Sequence, residues 1–336
     1  MEIFKHTEPF FPELGGELKE VQIAYHTYGK INQAQDNVIW ICHALTANSD
    51  AILWWDGMVG PGKFYDPARY FIICANYLGS YYGTTGPLSV NQATGKPWFR
   101  SFPEITVRDM VRAHELLRKH LGIDHIHTVI GGSIGGFQAM EWAICNPELF
   151  SHVILIACSG KSSPWVIALN ESQRLSILAD KTFMDDVPEG GMNGLKAARS
   201  IALLSYRNGI TYNKTQSEET NETTGNFRAS SYQQYQGEKL AGRFNAYSYF
   251  LLTKAIDSHN VARGRNSFSE AFGRIKARTL AVGISSDILF PIEAQKTMAA
   301  LIPDAEYREI NSDFGHDGFL IESAQLSEIF FNFYNQ

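Results

Sequence analysis

One seven-residue stretch constrains this chain more than any other: Ile130-Gly131-Gly132-Ser133-Ile134-Gly135-Gly136. It follows a β-branched apolar run from His127 to Ile130 and opens an apolar helical pattern. That context fits G-x-S-x-G, which sets a serine on a sharp strand-to-helix turn. The glycines have a physical task, because a Cβ close to a serine held in a strained backbone conformation would clash. The same letters fit no phosphate loop. They do not satisfy G-x-G-x-x-G in any register, and Phe137 stands where a Walker A lysine is needed. A glycine-rich turn also occurs without chemistry. The rest of the chain must therefore supply a base, an orienting acid and an oxyanion hole.

Strand and helix patterns alternate on both sides of the stretch. Val21 to Tyr28 reads as part of an N-terminal hairpin. Asn37 to Cys42, Tyr70 to Cys74 and Val153 to Ala157 are near-continuous apolar runs, the mark of strands covered on both faces. Thr106 and Asp109 form a capping-box pattern ahead of a helix that Gly122 stops. A second helix runs from Ile134 to Asn146, before Pro147. This alternation predicts an α/β fold with a mostly parallel central sheet and right-handed crossovers. It breaks after Ser159. From about Pro164 to Phe272 the chain is helical and polar, with helices expected over 166–179, 195–204 and 240–256. Thr211 to Asn226 is low in apolar residues and is expected to be mobile. The sheet resumes at Thr279 to Ile284 and ends with a strand over 305–310 and a helix over 323–333. The organisation expected is a catalytic domain of residues 1–163 and 273–336, interrupted by an inserted helical lid of residues 164–272.

Composition narrows the function. The chain has 336 residues, enough for one large domain with an insertion. A net charge of -6 leaves no basic footprint for nucleic acid and no polybasic membrane signal. The first twenty residues lack the order of a secretory leader, and no apolar run approaches a membrane span. Cys42, Cys74, Cys145 and Cys158 show no C-x-x-C spacing and read as buried free thiols of a reducing, cytoplasmic protein. No metal-ligand spacing of His, Cys or carboxylates appears.

In an open α/β sheet, ligands collect at the carboxyl ends of the strands. The residues there are Ser133, then Asp287 after the run Thr279 to Ile284, then His316 after the last strand. Ser, Asp, His in that chain order is the arrangement of α/β-hydrolases and differs from both serine-protease orders. Ser133 would be the nucleophile, His316 its base, and Asp287 the group that fixes the imidazole tautomer. Asp313, in the same loop as His316, is the rival to Asp287. The oxyanion needs two backbone N–H donors, expected from Ile134 at the helix start and Leu45 in the loop after Cys42. His43 borders that loop and is expected to shape it.

Several further stretches then match one family. His43-Ala44-Leu45-Thr46, Trp54-Trp55-Asp56-Gly57, Gly83-Thr84-Thr85-Gly86-Pro87, Tyr235-Gln236-Gly237-Glu238-Lys239, Arg243-Phe244 and Gly315-His316-Asp317-Gly318-Phe319-Leu320 together resemble homoserine O-acetyltransferases of methionine biosynthesis, from about Val21 to Glu322. The family's usual Gly-Gly-Ser-Met-Gly-Gly carries Ile134 here, and Ala47-Asn48 replaces its usual letters after Thr46.

The resemblance implies a ping-pong acetyl transfer from acetyl-CoA, through Ser133, to the γ-hydroxyl of L-homoserine. It implies that Arg199 holds the homoserine carboxylate and Asp317 its ammonium. It implies acetyl-CoA as a substrate rather than a resident cofactor, and a homodimer formed through the lid. Lid aromatics (Tyr232, Tyr235, Phe244, Tyr247, Tyr249 and Phe250) are expected either to narrow a tunnel for the pantetheine arm or to form the lid's own core or a dimer face. The alternatives are a succinyl donor, a serine acceptor, or a plain serine esterase on the same fold.

Overall fold

The computed structural model describes residues 1–336. Its ten strands are β1 (Glu2–His6), β2 (Val21–Tyr28), β3 (Val38–Cys42), β4 (Phe71–Ala75), β5 (Val90–Asn91), β6 (Lys96–Pro97), β7 (Ile126–Gly132), β8 (Phe150–Ile156), β9 (Arg278–Ile284) and β10 (Ala305–Ile310). Eight of them form one sheet in the order β1-β2-β4-β3-β7-β8-β9-β10, and β5 pairs only with β6. From β4 to β10 every pairing is parallel, while β2 runs antiparallel to both β1 and β4.

The period of two decides which side of the sheet each residue packs on. Val38, Trp40 and Cys42 of β3 join one core, and Ile39 and Ile41 join the other. In β8, Val153 and Leu155 face the first core, and Ile154 and Ile156 the second. All nine residues are buried, and each large aliphatic side chain contributes about 1.5–3 kcal/mol by leaving water. A strand buried on both faces cannot alternate apolar with polar, which is why these runs are continuous in sequence.

Helices cover both faces. Between β3 and β4 lies the short α1 (Ala51–Trp54), and before β7 comes α2 (Val107–His120). The Thr106 hydroxyl accepts from the Asp109 N–H, and the Asp109 carboxylate accepts from the Thr106 N–H, which completes the capping box. α3 (Ile134–Cys145) follows β7 directly. Between β8 and β9 the chain builds α4 (Pro164–Ala179), α5 (Met192–Tyr206), α6 (Gly209–Thr215), α7 (Arg228–Ala241), α8 (Ala246–Asp257) and α9 (Phe268–Gly273). The chain closes with α10 (Ile292–Ala299), α11 (Gly318–Ile321) and α12 (Ser323–Tyr334). Glu141 of α3 anchors this excursion: Arg108 Nε lies 2.7 Å and Arg265 Nη2 2.6 Å from its Oε1.

The structure corrects three expectations and decides between two alternatives for a fourth. The single helix expected over 240–256 is two, because Gly242 ends α7 and the Asn245 side chain caps α8 by accepting from the Ser248 N–H. Residues 211–226 are not uniformly irregular. Asn208 caps α6, and the Thr211 hydroxyl donates to the Asp313 carbonyl, so the segment starts as a pinned helical turn. Cys145 is exposed at the end of α3, whereas the other three cysteines are buried. Finally, Phe244, Tyr247 and Tyr249 are buried within the helical excursion rather than lining the cleft of Ser133. Their ring packing, such as Phe183 on Tyr247 at 5.0 Å, is that of a core.

Candidate active site

Ser133 sits between β7 and α3 with φ 57° and ψ -126°, a conformation that L-residues avoid. The neighbouring glycines explain how the turn closes. A Cβ on Gly135 would lie 2.0 Å from the Cys42 carbonyl oxygen, and one on Gly131 would lie 2.2 Å from the Gly135 backbone. Side-chain-free backbone is the only chain that packs β3, β7 and α3 this closely. The strain presents Ser133 at the carboxyl edge of the sheet.

The turn after β9 brings in Asp287. Its Oδ1 accepts from the backbone N–H groups of Leu289 at 2.7 Å and Phe290 at 3.0 Å, which locks the carboxylate. Its Oδ2 accepts from His316 Nδ1 at 2.8 Å. Both side chains are buried. Burial by itself would lower the His316 pKa, but the charge of Asp287 and its hydrogen bond outweigh that and raise it above the ordinary value. Asp313, the rival carboxylate, is exposed, and only its backbone carbonyl is used, by Asn208 and Thr211. Ser133 and His316 line the same cleft without a direct hydrogen bond. Such bonds often tighten only around substrate.

The cleft has a volume of about 440 Å³. Leu45, Ser133, Arg199, Tyr206, His316 and Asp317 all contribute to its wall. Arg199, from α5, makes no ion pair and lies with its guanidinium carbon 5.4 Å from the centre of the Tyr206 ring. Asp317 is paired instead with Arg207, whose Nε lies 3.1 Å from Oδ2. Burial raises the Asp317 pKa, and the nearby positive charges of Arg207, Arg199 and His316 offset part of that rise.

Sequence reasoning missed Arg207, and it named Lys239 and Arg243, which line the cleft, only within motifs and without a role. Arg207 follows a half-buried Tyr at a helix end, where charge alone is an ordinary solvated feature. Its only sequence signal was proximity to Arg199 on α5.

The loop after β3 forms a tight turn, with the Ala47 N–H donating to the Ala44 carbonyl at 3.1 Å. His43 Nδ1–H donates to the same carbonyl at 2.9 Å, and its ring stacks on Tyr77 at 4.4 Å. Burial lowers the His43 pKa to about 4, so it stays neutral near pH 7. The Leu45 N–H makes no hydrogen bond within the protein. The Ile134 N–H is in the first turn of α3, where no helical carbonyl is available to it. Ser133 also borders a second, smaller cavity of about 20 Å³, lined by apolar residues such as Phe137, Val166, Leu289 and Phe290 with Asn170 and Gln173.

A strained serine, a buried Asp–His pair and two free amides on an eight-stranded, mostly parallel sheet define the α/β hydrolase class. The family model for the alpha/beta hydrolase fold matches residues 37–323. A homoserine O-acetyltransferase of Cyclobacterium marinum is 47% identical over 333 residues, covering 99% of this chain and 95% of that protein. One from Trichormus variabilis is 45% identical over 330 residues, covering 97% and 91%. Among solved structures, a homoserine O-acetyltransferase from Bacillus anthracis superposes with a TM-score of 0.92 at 27% identity, covering 100% of this chain and 97% of that one. The esterase E22 superposes at 0.89 with 26% identity, covering 99% and 98%. The chain belongs to the homoserine O-acetyltransferase family.

Proposed function

We propose that this protein transfers an acetyl group from acetyl-CoA to the γ-hydroxyl of L-homoserine by a ping-pong mechanism through Ser133, in methionine biosynthesis. The observation that carries the reading is the pair of opposite charges, Arg199 and Asp317, in the cleft that Ser133 lines. Arg199, free of any carboxylate, suits an α-carboxylate, and Asp317 suits an α-ammonium. A plain esterase has no use for that pair.

His316 takes the Ser133 proton as Oγ attacks the thioester carbonyl. The oxyanion is held by the Leu45 and Ile134 amides, each such donor contributing about 3–4 kcal/mol. The intermediate collapses, the C–S bond breaks, and His316 gives its proton to the leaving coenzyme A thiolate. Homoserine then enters between Arg199 and Asp317. His316 takes its hydroxyl proton, the γ-oxygen attacks the acetyl-serine, and Ser133 recovers its proton as the ester leaves. The helical excursion of residues 164–272 acts as a lid that limits water around the acyl-enzyme.

Acetyl is favoured over succinyl by the small cavity beside Ser133. About 20 Å³ takes a methyl group, and neither Lys nor Arg lines it to pair a succinyl carboxylate. Apolar side chains exposed on lid helices, Trp165, Leu175 and Leu178 on α4 among them, support a homodimer formed through the lid. No helix is long and apolar enough to cross a membrane. A reaction fed by acetyl-CoA fits a cytoplasmic enzyme.

The test is coenzyme A release from acetyl-CoA and from succinyl-CoA, each with homoserine, with serine and with neither. Release that depends on homoserine and prefers acetyl-CoA is the expected result. Equal release with and without homoserine would sink the reading and favour the esterase.

A further inference from the structure

We infer that Arg243, which no homologue name or motif role assigns, is a positioning residue that holds the turn carrying the Leu45 amide in its working shape. The inference rests on the reading of Leu45 as an oxyanion donor given above.

Eight non-glycine residues in the chain have positive φ; Ser133 and Thr46, at 65°, line the cleft, and Tyr82, at 50°, reaches the Thr46 carbonyl with its hydroxyl. Thr46 is the third residue of the turn from Ala44 to Ala47. Positive φ at that position, after a residue with negative φ, is the pattern of a type II turn, which normally requires glycine. A β-branched residue is among the worst suited to it. Thr46 is also buried, so it cannot relax outward. Something else must hold it.

Arg243 does so from the helical excursion, 197 residues away in sequence. Its Nη1 donates to the Thr46 carbonyl at 2.5 Å and to the Tyr82 hydroxyl at 2.6 Å. The Tyr82 hydroxyl in turn donates to the Thr46 carbonyl at 3.3 Å. The two strained residues thus share one guanidinium. Phe244, the next residue, is buried 5.8 Å from the Tyr82 ring and fixes where the Arg243 backbone stands. Arg243 makes no ion pair, and its Nη1 is directed at these two neutral oxygens. The Leu45–Thr46 peptide is the central one of the turn, and fixing the carbonyl on one side of it fixes the direction of the free amide on the other. The segment that carries Arg243 comes between β8 and β9, so the turn after β3 is held by a contact from the helical excursion.

The alternative role is a cation that binds the phosphates of the acyl donor. The two separate cleanly. Wild type, Arg243→Ala, Arg243→Lys and the double variant Arg243→Ala/Thr46→Gly are compared for the first-turnover acetylation of Ser133 by acetyl-CoA and by the uncharged p-nitrophenyl acetate. We expect Arg243→Ala to slow acetylation by both donors, by about 100-fold as for a misplaced catalytic group. The loss should lie in kcat with KM nearly unchanged. Arg243→Lys should be intermediate. The added Thr46→Gly, which takes positive φ without strain, should recover a substantial part of the loss. A defect confined to KM for acetyl-CoA, with the nitrophenyl ester unaffected, overturns the inference, and so does the absence of any recovery in the double variant. Melting temperatures of the four proteins check that the rates compare folded states. The nitrophenyl arm needs neither homoserine nor coenzyme A. It therefore tests Arg243 independently, while a wild-type enzyme without homoserine-dependent transfer would remove the proposed function alone.

Discussion

Arg207 Nε sits 3.1 Å from Asp317 Oδ2, so the carboxylate next to His316 already has a cation beside it. That pairing has two effects. It offsets part of the rise in pKa that burial imposes on Asp317, and it leaves one side of the carboxylate for an ammonium group. Asp317→Asn should therefore raise KM for homoserine by about 10- to 100-fold, the cost of about 1.5–3 kcal/mol for a bond to a charged group. First-turnover acetylation by acetyl-CoA should change little. Steady-state and single-turnover rates on one variant check both statements.

The raised pKa of His316 sets the acid limit of the reaction. His316 must be neutral to accept a proton, so activity is lost as pH falls through its pKa. The midpoint of the acid limb of kcat/KM should lie above about 6.5, the ordinary histidine value. Asp287→Asn removes the main charge that raises it and leaves burial, which lowers it, against the smaller raising effect of Asp317. The midpoint should move down, and kcat should fall by about 10⁴-fold as the tautomer is lost. A limb that stays in place would show that another group controls it.

The small cavity beside Ser133 predicts a steep dependence on acyl length. Propionyl-CoA should be poorer than acetyl-CoA by about 10- to 200-fold in kcat/KM, the usual discrimination for one methylene. Val166→Ala or Leu289→Ala should narrow that ratio by enlarging the wall they form. If both variants keep the wild-type ratio, the acyl group does not enter this cavity.

Gly135→Ala tests the turn itself. The added Cβ meets the Cys42 carbonyl at 2.0 Å, and backbone cannot step aside. Stability should fall by an amount at or above the upper end of about 1–3 kcal/mol. Denaturant unfolding measures it, and an unchanged midpoint would contradict the packing described.

The apolar stripe of α4 predicts association. Sedimentation should give a dimer, and Leu175→Glu, at a side chain 57% exposed in one chain, should yield monomer without unfolding it. A wild-type monomer at micromolar concentration would rule out the interface.

Much of the site was legible in the letters. The order Ser133, Asp287, His316 was readable because each residue follows a strand whose apolar run is continuous, and the carboxyl ends of parallel strands converge. Asp287 was preferred to Asp313 on the same ground, since Asp313 shares the loop of His316; what the letters did not show is the locked turn at Leu289 and Phe290 that aims the Asp287 carboxylate. The lid aromatics were open between tunnel, core and dimer face. Helical spacing does not say what a face packs against until the neighbouring helices are in place.

Short-range patterns in the sequence by itself determined the strands, the capped helix at Thr106, the glycine turn at Ser133 and the family, since each depends on residues a few positions apart. Tertiary structure alone decided that Arg207 meets Asp317 and that Arg243 meets Thr46 and Tyr82. Those contacts join residues more than 100 positions apart, and an arginine in an exposed-looking helical segment carries no local mark of the oxygen it will reach.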